Sequence, residues 1–388
     1  MPSPFAQVAA PLANAQTTPD QVRSSQPFVI TPSFAYLEDA IGVHLRNAVA
    51  ALDGTAPLLA GMVRYHLGDV DQALTPLPPD AVDRGKRMRP AVTLLCAAAV
   101  GGEEALAAAA PVAAAIELLH NFTLIHDDIQ DQSPTRRHRP TVYSIWGEGQ
   151  AINAGDALFA AAHLPFYRLG AGDRPLPTVL ALRLLEAFDR MTIAIVEGQT
   201  LDLSFEGHLF VTPDEYLGMI GGKTAAIIRY AAWAGALLGG ATEATAERFA
   251  AFGLALGLGF QVRDDLLGIW GATATTGKAA ADDIRRRKQS LPILLLRQRG
   301  DASHRAELDA LYAAPAIAGA GVARVLDLLG QADVRSAVEQ QIAGYHDEAQ
   351  AALRAATALP PGDALSPATA AARVHLEALV EQLAGRDG

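Results

Sequence analysis

From about Tyr36 onward, Ala, Leu and Ile recur at spacings of three and four almost without interruption. That spacing lays an apolar stripe along an α-helix, and the alternating Val, Thr and Tyr runs that would read as strands are nearly absent. Breaks fall at Gly101-Gly102, Gly170–Pro177, Gly207–Pro213, Gly239-Gly240, Gly271–Gly277, Ala313–Gly321 and Pro360–Gly362. Between them lie helices of about 15–25 residues with little charge on any face, so several must be buried on more than one side. With 50% hydrophobic and 19% charged residues, the chain has the material for a large core. These features predict an all-α fold in which one domain, residues 33–388, forms a large helical bundle around a central cavity. Residues 1–32, rich in Pro, Ala, Gln, Ser and Thr and almost uncharged, read as a flexible tail.

The formal net charge of -11 argues against a general nucleic-acid binder, which would show a basic face. It leaves room for a small anionic substrate, where local arrangement counts more than the total. The single cysteine, Cys96, rules out an intrachain disulfide and fits a reducing cytoplasm. Its setting in Val92-Thr93-Leu94-Leu95-Cys96-Ala97 reads as core packing, not as a nucleophile. No uncharged apolar stretch reaches the about 18 residues that a membrane span needs, the nearest being 230–242 between Arg229 and Glu243. The N-terminus lacks a basic region followed by a continuous apolar one, so no secretory signal is read there. A soluble, cytoplasmic protein is the expectation.

Two aspartate pairs carry the chemistry. Asp127-Asp128 stands within residues 124–131 and is followed by Asp131; Asp264-Asp265 stands within residues 259–268. Each pair follows an apolar run, where burying adjacent carboxylates is costly unless a cation meets them. Asp127 and Asp131 are four residues apart and share one helix face. Oxygen-only ligands at that spacing suit a hard divalent cation, magnesium before zinc, and no cysteine or second histidine nearby points to a softer metal. Basic residues stand close to both pairs in the chain: Gly85-Lys86-Arg87-Met88-Arg89-Pro90, His120, Arg136-Arg137, Lys223-Thr224, Lys278 and Lys288. An acidic metal site ringed by cations is sensible if a multiply anionic ligand sits between the two sets.

In these motifs the sequence resembles the trans-isoprenyl diphosphate synthases, the polyprenyl synthetases, and within them most closely the geranylgeranyl diphosphate synthases. The resemblance runs in the family's order through residues 85–90, Glu117 to Asp131 with Arg136-Arg137, Asn153 to Leu158, Glu197-Gly198-Gln199 with Asp202, Gly222-Lys223-Thr224, Phe260 to Asp265, and Gly277-Lys278 to Pro292. It implies a Mg²⁺-dependent prenyltransferase of the isoprenoid synthase fold, joining an allylic diphosphate to isopentenyl diphosphate, working as a homodimer and holding about three ions. By the same resemblance Asp127 and Asp131 would ligate two ions and Asp264 a third, with Asp128 and Asp265 supporting metal-bound waters. Arg136, Lys223, Lys278 and Lys288 would hold the allylic diphosphate. Lys86, Arg89, His120 and Arg137 would hold the diphosphate of isopentenyl diphosphate. Gln261 and the Lys223–Thr224 backbone would turn oxygens toward the developing carbocation.

The chemistry asks for these residue types independently. Breaking an allylic C–O bond gives a carbocation and a diphosphate, and metal ions with Lys and Arg stabilise the leaving charge. Apolar walls must keep water from the cation, and no side-chain nucleophile is needed. Product length is implied by residues four, five and eight before Asp127, namely Thr123, Phe122 and Leu119. One phenyl ring with threonine beside it resembles the arrangement of C20-forming members, with farnesyl diphosphate as the second expectation. Two departures stand out: Gly268 where the family pattern has a third aspartate, and His138 where glycine often follows the double arginine. Competing readings are a terpene cyclase on the same fold, a metal-dependent phosphohydrolase suggested by His126-Asp127, and a non-catalytic partner subunit. The cyclase would not need the second basic set, the phosphohydrolase would leave the second aspartate pair without a purpose, and the partner subunit would typically lack one pair.

Overall fold

The structure, a computed structural model, describes residues 35–78, 81, 85, 87–171, 175–206, 210–271, 281–314, 316–358 and 365–384. The tail 1–32, Lys86 and Lys278 lie outside them. The described chain is helical, as expected. In order come α1 (Ala35–Ala50), α2 (Pro57–Leu67), α3 (Met88–Gly101), α4 (Glu104–Gln130), α5 (Val142–Trp146), α6 (Glu148–Ala161), α7 (Thr178–Phe205), α8 (Pro213–Ile220), α9 (Ala226–Leu238) and α10 (Glu243–Trp270). Further helices follow at Asp282–Arg285, Leu291–Arg299, Ala302–Ala313, Gly319–Gln331, Val334–Ala356 and Pro367–Ala384. Among the described residues every break read from the sequence falls between two helices, and β-structure is confined to a two-residue hairpin and one isolated bridge. Both α7 and α10 run to 28 residues, somewhat beyond the expected range.

Two cores organise the bundle. The larger joins α1 to α4, α6, α7, α9 and most of α10 with the final helices, and α9 packs against α3, α4, α7 and α10. The smaller lies under the C-terminal end of α10 and gathers Tyr216, Met219, Val262, Ile269, Ile284 and Leu291 to Leu296 with the helices that follow. The end of α10 that carries the second aspartate pair is therefore anchored by its own apolar base.

The helix most membrane-like by mean hydropathy does not contain the uncharged stretch 230–242. Among the described residues α4 is the one helix long and apolar enough to cross a membrane by length and composition, with a mean hydropathy of 1.4 over its best window. Glu117 interrupts its run, which hid it from an uncharged-stretch criterion. Within the protein 72% of that window is buried, and Ala113, Ala114, Ala115, Ile116, Leu118 and Leu119 are fully so. Its hydrophobicity is that of a core helix packed on several sides. Cys96 is likewise buried in this core.

Candidate active site

The first acidic motif ends α4, and the helix divides its aspartates between two environments. Asp131 is exposed and Asp127 half-buried, one turn apart, while Asp128 is 2% exposed. Burial raises the Asp127 pKa and Asp131 adds to it, while Lys223 and Arg136 pull it back. Asp128 accepts a 2.8 Å hydrogen bond from Arg136 Nε. Burial nevertheless pushes its pKa up to about 6, with Arg136 opposing. The resemblance implied a water-supporting role for Asp128; one of its oxygens is instead engaged in holding Arg136.

After α4 the chain turns back as a hairpin, Thr135–Arg136 against Arg139–Pro140. Its turn residues, Arg137 and His138, have φ of 49° and 60°, the left-handed region used in two-residue type I′ turns. That explains the departure at 138: glycine is unstrained there, and histidine is among the side chains that enter this region more readily. Arg139 clamps the hairpin by donating to the carbonyls of Tyr65 and Val70, each at 3.0 Å, and Tyr65 Oη donates to the Pro140 carbonyl at 2.8 Å. Gly85 (φ 78°) passes directly beneath the Arg137 guanidinium, where a Cβ would stand 2.4 Å from Nη2. The left-handed backbone conformation is what favours glycine here; the contact is with the mobile end of an arginine.

Arg89 opens α3, and its Nη1 lies 3.1 Å from His120 Nε2 on α4. Burial lowers the Arg89 pKa and Arg137 lowers it further, against Glu117 and Asp264, which raise it. Burial likewise holds His120 well below the ordinary histidine range, followed by Arg89, Arg137 and Arg136. His120 is therefore neutral, inside a pocket of guanidinium groups. The same couplings bring Asp264 of the second pair and Arg137 within electrostatic reach of Arg89.

On the opposite side, α8 runs into a π-helical turn, Gly221–Ala225, before α9. Such turns are frequent at functional sites because they re-aim side chains out of the helical register. Lys223 Nζ from this turn is 2.5 Å from Asp202 Oδ2 on α7. Burial works against its charge, but Asp202, Asp127 and Asp131 outweigh that and raise its pKa. Thr224 Oγ1 donates to Gln261 Oε1 at 2.9 Å, and Gln261 Nε2 donates to Asp265 Oδ1 at 3.3 Å. The Gln261 oxygen expected to face a carbocation thus already accepts from Thr224 and keeps one further lone pair.

Asp264 is exposed, whereas Asp265 is 4% exposed. Asp265 Oδ2 accepts from Tyr216 Oη at 2.5 Å and from the Leu291 N–H at 3.0 Å. With Gln261 on Oδ1, both oxygens of Asp265 are occupied by protein donors, and it braces α10 against α8 and the following helix. The water-supporting role that the resemblance implies for it would be shared with this positioning. Gly268 also finds its reason here: a Cβ would stand 2.1 Å from Asp283 Oδ2. The Asp283 carboxylate fills the place where a side chain at 268 would project. Asp283 is 6% exposed, with Lys288 Nζ at 3.8 Å.

Burial pushes the Asp265 pKa up to about 7, against the pull of its donors. The folded value lies above the unfolded one of about 3.9, so the folded protein binds the extra proton between these values, and stability from this group is present below pH 4 and lost as pH rises through 7. In metal-free urea titrations the stability of the wild type relative to Asp265→Asn is expected to decline from pH 4 to pH 7 and then level. A difference that is flat with pH would contradict it.

Of the residues implied for product length, Leu119 is fully buried in the larger core and Thr123 Oγ1 donates to the His120 carbonyl at 2.8 Å. Phe122 is partly buried and packs edge-on against His126, with centroids 4.8 Å apart, and tilted against Phe159 of α6 at 5.3 Å. Sequence reasoning missed Tyr216, Asp283 and the place of Asp202 between Lys223 and the first motif. Their spacing reads as ordinary helix or loop, and only the packing of α7 and α8 brings them in. Among the described residues no three His, Cys, Asp or Glu side chains stand close enough to hold an ion unaided.

These motifs, on this bundle, are those of one family: the Polyprenyl synthetase profile matches residues 75–329, and the chain belongs to that family. A geranylgeranyl diphosphate synthase of Mycobacterium tuberculosis is 42% identical over 269 residues, 69% of this chain and 73% of that protein. A (2E,6E)-farnesyl diphosphate synthase of the same organism is 39% identical over 265 residues, 68% of this chain and 67% of that protein. The solved polyprenyl synthetase from Streptomyces coelicolor superposes with a TM-score of 0.77 at 34% identity, covering 90% of this chain and 97% of that one.

Proposed function

We propose that this chain, a short-chain trans-prenyltransferase, condenses an allylic diphosphate with isopentenyl diphosphate and makes geranylgeranyl diphosphate. The observation that carries the reading is the division of the aspartates. Asp127 is half-buried and Asp131 and Asp264 are exposed, and their buried neighbours hold Arg136 and the base of α10. The donor set fits magnesium, which keeps several waters and is bound by one or two carboxylates together with substrate phosphates. Asp127 and Asp131 would hold two ions and Asp264 a third, with Asp283 taking the place of the missing third aspartate of the second motif. When bound, the ions would neutralise charge on the departing diphosphate.

Lys223 and Arg136 present positive charge to the allylic diphosphate, assisted by Lys288. Lys278 completes that set from outside the described residues. Arg89, His120 and Arg137, with Lys86, receive the second diphosphate. Gln261 and Thr224 line the region between, where polar oxygens temper a carbocation and the surrounding apolar walls keep water away. The departing diphosphate takes the final proton. Exposed Val179, Leu182, Ile193 and Val196 form one stripe along α7, and α6 exposes Ile152 and Phe159. An apolar stripe of this kind supports a homodimer, and the enzyme would work in the cytoplasm.

Incubation with Mg²⁺ and farnesyl diphosphate, with and without isopentenyl diphosphate, tests the reading by product identification. A C20 diphosphate that forms only with isopentenyl diphosphate is expected. A C15 product from shorter starters, with farnesyl diphosphate left unextended, would make it a farnesyl diphosphate synthase. Cyclic products without isopentenyl diphosphate would make it a cyclase, and released phosphate alone a phosphohydrolase.

Phe122→Ala is expected to shift products to C25 or beyond. Removing the ring opens space against Phe159, and each added isoprene unit then buries more apolar surface at about 25 cal/mol per Å². Thin-layer or mass analysis of the products reads this directly. An unchanged chain length would make Phe122 ordinary core.

A further inference from the structure

We infer that His66, at the C-terminal end of α2, is a further binding residue for the diphosphate of isopentenyl diphosphate, donating to it through Nε2. The inference rests on the functional reading above. His66 lines a cleft with Tyr65, Asp128, Arg136, Arg137 and Arg139. Among the described residues its Nε2 has no hydrogen-bond partner and is closed to solvent, while Asn121 of α4 is a partner for the ring. A buried ring nitrogen left unpaired is costly, and three guanidinium groups around it give it no counter-charge.

The surroundings say what would repay that cost. Arg136 and Arg137 flank His66, His120 lies close enough to feel its charge, and Arg89 contacts His120. Burial first, then the arginines, pushes the His66 pKa down to about 3, so the ring is neutral in the empty pocket. With Asn121 Nδ2 engaged by Glu117, the Asn121 oxygen accepts from the ring's Nδ1–H and Nε2 carries the lone pair. A diphosphate beside Arg137 brings the negative charge that lets Nε2 take up a proton and donate to a phosphate oxygen, the stronger class of hydrogen bond. Arg139 and Tyr65 fix the hairpin to the end of α2, so the distance between His66 and Arg137 is set by the fold and not by a flexible loop. A phosphate monoester or inorganic diphosphate offers the same oxygens, which makes inorganic diphosphate a usable probe.

His66→Phe keeps the volume and removes the donor; His66→Gln keeps a donor on a slimmer side chain. His66→Phe should raise the KM for isopentenyl diphosphate about tenfold or more, as loss of a charge-assisted hydrogen bond does. The KM for the allylic substrate and kcat should stay within about threefold of wild type, since the group is not made to bind tighter in the transition state. His66→Gln should recover most of the loss, and calorimetric titration with inorganic diphosphate should follow the same order. If both KM values rise together, if only kcat falls, or if His66→Phe binds like wild type, His66 is a packing residue and the inference fails. Wild-type protein that does not consume isopentenyl diphosphate would overturn the functional reading itself, an outcome visible before any variant is made.

Discussion

Asp127→Asn and Asp264→Asn are each expected to lower kcat by about 10²–10³, the loss seen when one preorganised stabiliser of a developing charge is removed. Both carboxylates lie outside the core, so the fold does not depend on their charge. Asparagine keeps the size and one oxygen but not the anion that a hard divalent cation requires. Near-normal circular dichroism and melting should therefore accompany the loss of rate. The adjacent aspartates should behave in the opposite way. Asp265 accepts from Tyr216, Leu291 and Gln261, so Asp265→Ala leaves buried donors unpaired, at about 1–3 kcal/mol for each group. Full activity in Asp127→Asn, or rate loss explained by unfolding, would contradict the division of roles.

Arg137→Ala is expected to raise the KM for isopentenyl diphosphate by about 10–100-fold, the equivalent of one or two charge-assisted hydrogen bonds at about 1.5–3 kcal/mol. The KM for the allylic substrate should move much less. The hairpin gives the reason. Arg136 faces back to Asp128, whereas Arg137 occupies the turn above Gly85 and beside Arg89. Equal increases in both KM values, measured with each substrate saturating in turn, would show that the two diphosphate sites are assigned the wrong way round.

The bundle was legible because its signal is redundant. Glycine and proline breaks and a period near 3.6 recur over hundreds of residues, and among the described residues the breaks fall where helices end. The aspartate motifs were legible because carboxylates next to apolar runs are costly without a purpose. What the order of residues did not disclose is which member of each pair turns inward. Asp127 and Asp128 are chemically identical, and only the packing of α4 makes the second a partner for Arg136. Gly268 read as a missing ligand until the Asp283 carboxylate was found in the space a Cβ would occupy. His138 had no reading without the left-handed turn that holds it. The π-helical turn at Lys223 has no periodic signature in its five residues, Gly221–Ala225, and it alone aims that lysine at Asp202.

Divalent cations are expected to join the two acidic motifs through a diphosphate. Crystals grown with Mn²⁺ and inorganic diphosphate, measured at the manganese absorption edge, test this most directly. Anomalous peaks are predicted beside Asp127 and Asp131 and beside Asp264, with diphosphate density between them and near Lys223. Diphosphate bound without metal at these aspartates, or metal peaks confined to other carboxylates, would contradict it.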